Sequence, residues 1–377
     1  MIVNNGVDPA VGARMRLSRS VVPVVALLVA ACGSPAEPRV QADQGALVGV
    51  TMPTTSSERW NHDGQNIKRD LEKQGHRVDL RYAENDVPKQ AKQIEDQIAA
   101  GAKLLIIASV DGSALSQPLQ KAADARIPVI AYDRLLRGSP YVDFYATFEN
   151  FRVGVYQAES LLTGLGLRSA DGQPIAAKGP FNIELFAGSP DDNNATFFFN
   201  GAMSVLKPYL DDGTLVVRSG QTEFQAVTTL RWDGETARKR MEEILASSYR
   251  RNKVNGVLSP YDGISLGILS ALNKNGYGPV FPIVTGQDAE LASVKSIIAD
   301  EQYSTIYKDT RELATVTALM ADAVLKGRTP PQLNNLNDYD NGVKVVPAFL
   351  LNPVSVNKSN YHKVLVESGY YTDDQLR

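Results

Sequence analysis

A series of short polar clusters stands directly after apolar runs in this chain, and the clusters are alike in kind. They read Ser57-Glu58-Arg59-Trp60, Tyr132-Asp133-Arg134, Ser189-Pro190-Asp191-Asp192-Asn193-Asn194, Tyr261-Asp262-Gly263, Gln287-Asp288 and Lys308-Asp309. Carboxylates, amides and fork-shaped arginines that converge suit a ligand made of hydroxyls. Each hydroxyl is both donor and acceptor, so it can pair with Asp and Arg at once. An aromatic face then covers the C–H side of such a ring, and Trp60, Trp232 and Tyr261 are available for that. Taken singly, each residue has a plainer reading. Asp133 or Asp288 at a strand end can cap the next helix. Trp232 can be a core aromatic at a helix start, and Phe197-Phe198-Phe199 reads as core with one ring near the cleft. Asp191-Asp192 can be a solvated turn, and Lys308-Asp309 an exposed helix start.

Enzyme chemistry finds less support. Gly263-Ile264-Ser265-Leu266-Gly267 matches G-x-S-x-G after a strand and before a helix. The sharp turn, however, is Asp262-Gly263, which leaves Ser265 inside the helix's first turn. The only later histidine is His362. Asp262 and Asp288 could be paired glycosidase carboxylates, with no signal beyond two acids. No Walker A sequence, G-x-G-x-x-G fingerprint or H-E-x-x-H occurs. One cysteine and three histidines cannot assemble a Cys/His zinc cage or an internal disulfide. No metal and no cofactor is expected, and the chain is read as a non-enzyme.

The elements that must position these clusters alternate from Ala46 onward. Strand-like runs at Leu47–Val50, Arg77–Tyr82, Leu104–Ala108 and Pro128–Ala131 are separated by helical patterns. The alternation restarts with runs at Phe181–Phe186, Leu215–Val217, Val254–Leu258, Phe281–Thr285 and Ser304–Tyr307. Such spacing predicts βαβ crossovers and parallel sheets in two doubly wound α/β lobes. Ligands then sit beyond the carboxyl ends of the strands, where the polar clusters stand. The net charge of −3 lacks the basic excess that a nucleic-acid partner calls for.

Three arginines (Arg14, Arg16, Arg19) precede an apolar run from Val21 to Ala31 that is too short to span a bilayer, which needs about 20 residues. Small residues then lead directly to Cys32. This resembles a bacterial lipobox. It implies a signal peptide over residues 1–31, lipid on Cys32, and a flexible tether over 32–45. Residues 1–14 add nothing such a leader needs, so Met15 is an alternative start. The expected location is extracytoplasmic, with membrane contact through the lipid anchor only.

The clusters, in this order, closely resemble the periplasmic sugar-binding proteins of the ribose/xylose/galactose class, nearest to the ChvE-type multiple sugar-binding receptors. The likeness is carried by MPTTSSERW (52–60), VIAYDRLL (129–136), YATFENFRVGV (145–155), PFNIELFAGSPDDNNA (180–195), GAMSVLKPY (201–209), LRWD (230–233), LSPYDG (258–263), VTGQDAE (284–290) and YSTIYKDTRELA (303–314). It implies a periplasmic-binding-protein-like clamshell with a three-strand hinge. The implied lobes are 46–149 plus about 309–345, and 150–308 plus about 346–377. Carried over by motif position, the ligand set is Arg59, Asp133 and Arg134 from the first lobe, with Trp60 adjacent. Asp192, Asn194, Trp232, Asp288 and Lys308 come from the second lobe or its hinge. The position before Asp262 is usually Asn in that class; here it is Tyr261, which would offer a phenol or a ring wall. The implied ligand is a monosaccharide, an aldose such as glucose, galactose, arabinose or xylose. The implied partner is an ABC transporter permease, or a sensor kinase, with the protein a monomer. An autoinducer or purine receptor on the same fold, or a glycosidase, are the alternatives.

Overall fold

The computed structural model describes residues 45–169, 171–175 and 179–377. The leader, Cys32 and all but the last residue of the tether lie outside the described residues. The first stretch runs β1 (Leu47–Met52), α1 (Glu58–Lys73), β2 (Arg77–Tyr82), α2 (Val87–Ala99), β3 (Leu104–Ile107), α3 (Ser116–Asp124), β4 (Val129–Tyr132) and β5 (Phe144–Phe148). The second runs α4 (Asn150–Gly164), β6 (Phe181–Leu185), α5 (Asn193–Asp211), β7 (Leu215–Val217), α6 (Phe224–Val227), α7 (Gly234–Ser248), β8 (Gly256–Leu258), α8 (Asp262–Lys274), β9 (Ile283–Val284), α9 (Leu291–Ile298) and β10 (Ser304–Tyr307). The chain closes with α10 (Thr310–Leu325), β11 (Ala348–Leu351), β12 (Val354–Asn357) and α11 (Asp373–Leu376).

Local sequence explains these elements. All four residues of β3, Leu-Leu-Ile-Ile, are buried, as a strand covered on both faces should be. In α2, the Asp86 carboxylate accepts from the Lys89 amide at 2.8 Å and Pro88 sits in the first turn. In α1, Trp60, Ile67 and Leu71 turn inward onto β1 and β4.

The first lobe is a parallel sheet in the order β2-β1-β3-β4-β5-β11. The second repeats the scheme as β7-β6-β8-β9. The amides of Tyr303 and Asp288 donate to Val284 O and Ile306 O and carry that sheet on to β10. An antiparallel pairing of β10 with β12 ends it. In both lobes the strand order reverses around the first strand, so each lobe opens a crevice at its carboxyl edge.

The chain crosses between lobes three times: from β5 to α4, from β10 to α10, and from β11 to β12. Helix α10 returns to pack on α1. Strand β11 corrects the expected boundary near residue 345. Ala348–Leu351 lies in register with Tyr145–Phe148, so the chain stays on the first sheet through Leu351.

Among the described residues, the most extensive helix pairing is between α4 and α5. A Cβ at Gly154 would stand 1.9 Å from Phe198 O, and one at Gly201 would stand 2.0 Å from Phe151 O. The two backbones therefore touch, which fixes where the amino end of α5 points. Gly154→Ala should force the helices apart at a cost of about 1–3 kcal/mol. A urea unfolding curve should show the lowered midpoint; an unchanged midpoint would show that the pair can separate freely.

Candidate functional site

A cavity of about 370 Å³ lies between the carboxyl edges of the two sheets. Arg59, in the first turn of α1, is its charged centre. Its Nε donates to Asp63 Oδ2 at 3.1 Å, one Nη donates to Asp288 Oδ1 at 3.2 Å, and the other pairs closely with Asp133. Asp63 also accepts a short hydrogen bond from the Tyr132 hydroxyl. Lys308, directly after β10, places Nζ 2.9 Å from Asp288 Oδ1 and 4.0 Å from Asp133 Oδ2. All of these side chains are buried. Ionised groups out of water are tolerable only when paired, and here Arg59, Asp133, Asp288 and Lys308 each have a partner from another element. Burial pushes the Asp63 carboxyl up to about 7 against the pull of Arg59. Burial would also raise Asp133, but Arg59 and Lys308 outweigh it and hold that carboxyl below its ordinary value. Burial raises Asp192, which Arg134 only partly offsets.

The backbone that presents these groups is held in unusual shapes. Asp133 has φ 59° and Asp288 φ 90°, positions that side-chain-bearing residues seldom occupy. Three donors converge on the Asp133 carbonyl: Tyr145 Oη at 2.6 Å, Thr147 Oγ1 at 2.9 Å and Asn194 Nδ2 at 2.8 Å. The amide of Asp288 is fixed by Ile306 O at 2.8 Å. Asp192 caps α5 by accepting from the Asn194 amide, and Arg134 Nε lies 3.0 Å from Asp192 Oδ2 across the cleft.

Two indole rings line the cavity. The guanidiniums of Arg59 and Arg134 both stand over the Trp60 ring, at 4.9 and 5.1 Å from its centroid. Trp232 lies flat on the backbone of Gly188, where a Cβ would meet the ring at 2.0 Å. Phe198 and Tyr261 meet it edge-on, each at 6.1 Å. Trp232 Nε1 and Gln287 Oε1 are buried with no hydrogen-bond partner among the described residues.

A family model for the periplasmic binding protein domain matches residues 48–329. The chain belongs to the periplasmic binding protein family. The multiple sugar-binding periplasmic receptor ChvE of Rhizobium radiobacter is 57% identical over 343 residues, covering 90% of this chain and 94% of that protein. The D-xylose-binding periplasmic protein of Escherichia coli is 34% identical over 87% of this chain and 92% of its own. An ABC transporter solute-binding protein from Clostridium phytofermentans, solved with bound β-D-glucose, superposes with a TM-score of 0.83. It is 48% identical and covers 88% of this chain and 100% of that one.

Within this binding-protein frame, Arg59, Trp60, Asp133, Arg134, Asp192, Asn194, Trp232, Tyr261, Asp288 and Lys308 all reach the cavity wall. Asp262 does not, and its expected ligand role is corrected. Its carboxylate is fully buried and turned inward, accepting from Gln302 Nε2, Thr305 Oγ1 and the Glu290 amide, each at 2.9 Å. Asn194 lines the wall, but its amide is largely committed to Asp133 O and Asn150. Ser265 of the G-x-S-x-G match is buried, with its hydroxyl donating to Thr285 O at 2.7 Å. Phe198 is the one ring of its triplet that lines the cavity. Sequence reasoning missed Arg231 and Glu290 as wall residues. They sit one and two residues from Trp232 and Asp288, inside the LRWD and VTGQDAE segments, and that proximity was the only available signal.

Tyr261, the departure from the usual Asn, donates to Glu290 Oε1 at 2.6 Å, and Ser57 of the first lobe donates to the same oxygen at 3.3 Å. Burial pushes Glu290 up to about 7; the Tyr261 and Ser57 bonds oppose this, while Asp288 and Glu58 add to it. The folded carboxyl thus holds its proton more tightly than the unfolded one. Its contribution to stability is full below about pH 4.5 and is lost as pH rises through 7, by at most about 3 kcal/mol. Asp63 adds a slope of the same sign. Denaturant titrations between pH 5 and 8 should show stability falling with pH, and Glu290→Gln should flatten that fall. A slope unaltered in the variant would remove Glu290 as its source.

Proposed function

We propose that the protein captures a neutral monosaccharide, an aldose, between its lobes, closes over it, and delivers it to an ABC sugar importer. The observation that carries this reading is the buried Arg59–Asp133–Asp288–Lys308 cluster sharing one cavity with the Trp232 ring. Alternating carboxylates and cations can each take one side of a ring hydroxyl. The indole covers the apolar face that those hydroxyls leave bare. The glucose held by the 48% identical Clostridium phytofermentans protein supports the same ligand class.

Binding draws the lobes together by hinge rotation at the three crossings. The closed pair of lobes then presents a surface that the open form lacks, and the importer's permease reads it. The Rhizobium radiobacter relative is named a receptor, which supports a sensor kinase as the second reader. The protein acts as a monomer held to the membrane by lipid on Cys32, a reading supported by the small residues directly before that cysteine. No bond of the sugar is made or broken.

Titration calorimetry with glucose, galactose, arabinose and xylose tests this. At least one should give saturable heat with a single site and no new product by chromatography. No heat from any of them would overturn the sugar reading. Trp232→Ala and Asp133→Ala should each weaken binding at least about tenfold, the scale of a buried polar or stacking partner lost. Unchanged affinity in either variant would take that residue out of the ligand shell.

A further inference from the structure

The two lobes touch each other directly at one rim of the cavity, through Arg231. Its guanidinium donates to the Val110 carbonyl of the first lobe at 3.2 Å and to Asp191 Oδ2 of the second at 2.6 Å. Asp191 is part of the same bridge, because its carbonyl accepts from the Gly112 amide of the first lobe at 3.3 Å. Ser189 Oγ donates to Asp191 Oδ1 at 2.5 Å and accepts from the Arg231 amide at 2.8 Å. The lobe-to-lobe contact therefore runs through a closed ring of Arg231, Ser189 and Asp191.

The next residue is Trp232. Both Arg231 and Trp232 have φ 58°, a left-handed pair without glycine that costs free energy unless its surroundings hold it. What holds it is the Ser189 bond to the Arg231 amide, the Trp232 amide on Thr229 O at 3.0 Å, and the bare backbone of Gly188 beneath the ring. The geometry points to Arg231 as a positioning residue. It latches the first lobe and, through the shared left-handed turn, sets the Trp232 face where closure places the ligand. A ligand that closes the lobes thus tightens its own stacking wall. This latch rests on the sugar-binding reading for its ligand measurements, but not for its effect on lobe closure.

The test uses Arg231→Met, which keeps the aliphatic stem, beside Arg231→Lys, which keeps the charge without the fork. Stopped-flow tryptophan fluorescence with the aldose that binds best should show dissociation faster by about tenfold in Arg231→Met, the scale of a lost charge-assisted bond. Association should change by less than about twofold, as latching follows encounter. Arg231→Lys should fall between. The fluorescence change on binding should shrink in the Met variant, a signature that loss of fold stability alone would not produce. Small-angle scattering of the sugar-free protein should give a larger radius of gyration for Arg231→Met than for wild type. Equal dissociation rates would overturn the latch. So would a penalty that vanishes for one deoxy-sugar alone, since Arg231 would then be holding that hydroxyl. If wild type bound no aldose, the function reading would fail, and equal scattering radii would then decide against the latch on their own.

Discussion

The buried guanidinium of Arg59 is the constraint on which the site depends. Three carboxylates surround it, from α1, from the end of β4 and from the turn after β9. Such a charge out of water is stable only with its partners in place, and removing one partner of a buried pair costs about 3–5 kcal/mol. Asp63 and Asp133 belong to the first lobe, but Asp288 stands 229 residues away in the second. The full cluster can therefore form only when both lobes are folded and brought together. It makes lobe closure and site assembly one event.

Much of the surrounding structure serves to deliver those partners. Asp133 must turn left-handed to aim its carboxylate at Arg59, and three hydrogen bonds to its carbonyl hold that turn. One comes from Asn194 at the start of α5, whose position follows from the close approach of α4 and α5 at Gly154 and Gly201. On the other lobe, Gln157 of α4 donates to Pro260 O and Gly286 O, each at 3.2 Å, and Asp262 braces the same loops from below. The wall residues are the visible end of a polar frame that is fully buried behind them.

How much of this could be read from sequence depends on whether the signal is local. Strands such as Leu104–Ile107 announce themselves by a run of apolar residues, and the residues just beyond a parallel strand's end are where a cleft must be. That rule located Asp133, Arg134, Asp192, Asp288 and Lys308. Trp232 came from its motif. The same rule misassigned Asp262. It too follows a strand, but Gln302 and Thr305, 40 and 43 residues later, turn its side chain inward, and no local pattern encodes that. Strand β5 was not read as a strand because Phe144–Phe148 has neither a pure apolar run nor an alternation. Its identity comes from β4 and β11 on either side. The last crossing was misplaced for a related reason. Ala348–Leu351 and Val354–Asn357 are similar short runs divided by Asn352-Pro353, and only pairing decides which sheet each joins. Arg231 and Glu290 gained their roles from partners on the opposite lobe, Val110 and Ser57.

The pairing pattern also bears on what the cavity can accept. Arg59, Arg134, Arg231 and Lys308 each already face a carboxylate: Asp133, Asp192, Asp191 and Asp288. A neutral hydroxyl can enter such a network by donating to the acid and accepting from the base, and the balance of charge is unchanged. An anionic ligand would compete with the resident carboxylates and leave one of them buried without its cation, the costly outcome for an ion pair. A cationic ligand would displace a resident base in the same way. Discrimination in favour of an uncharged polyol therefore follows from the self-paired charges rather than from the cavity's shape.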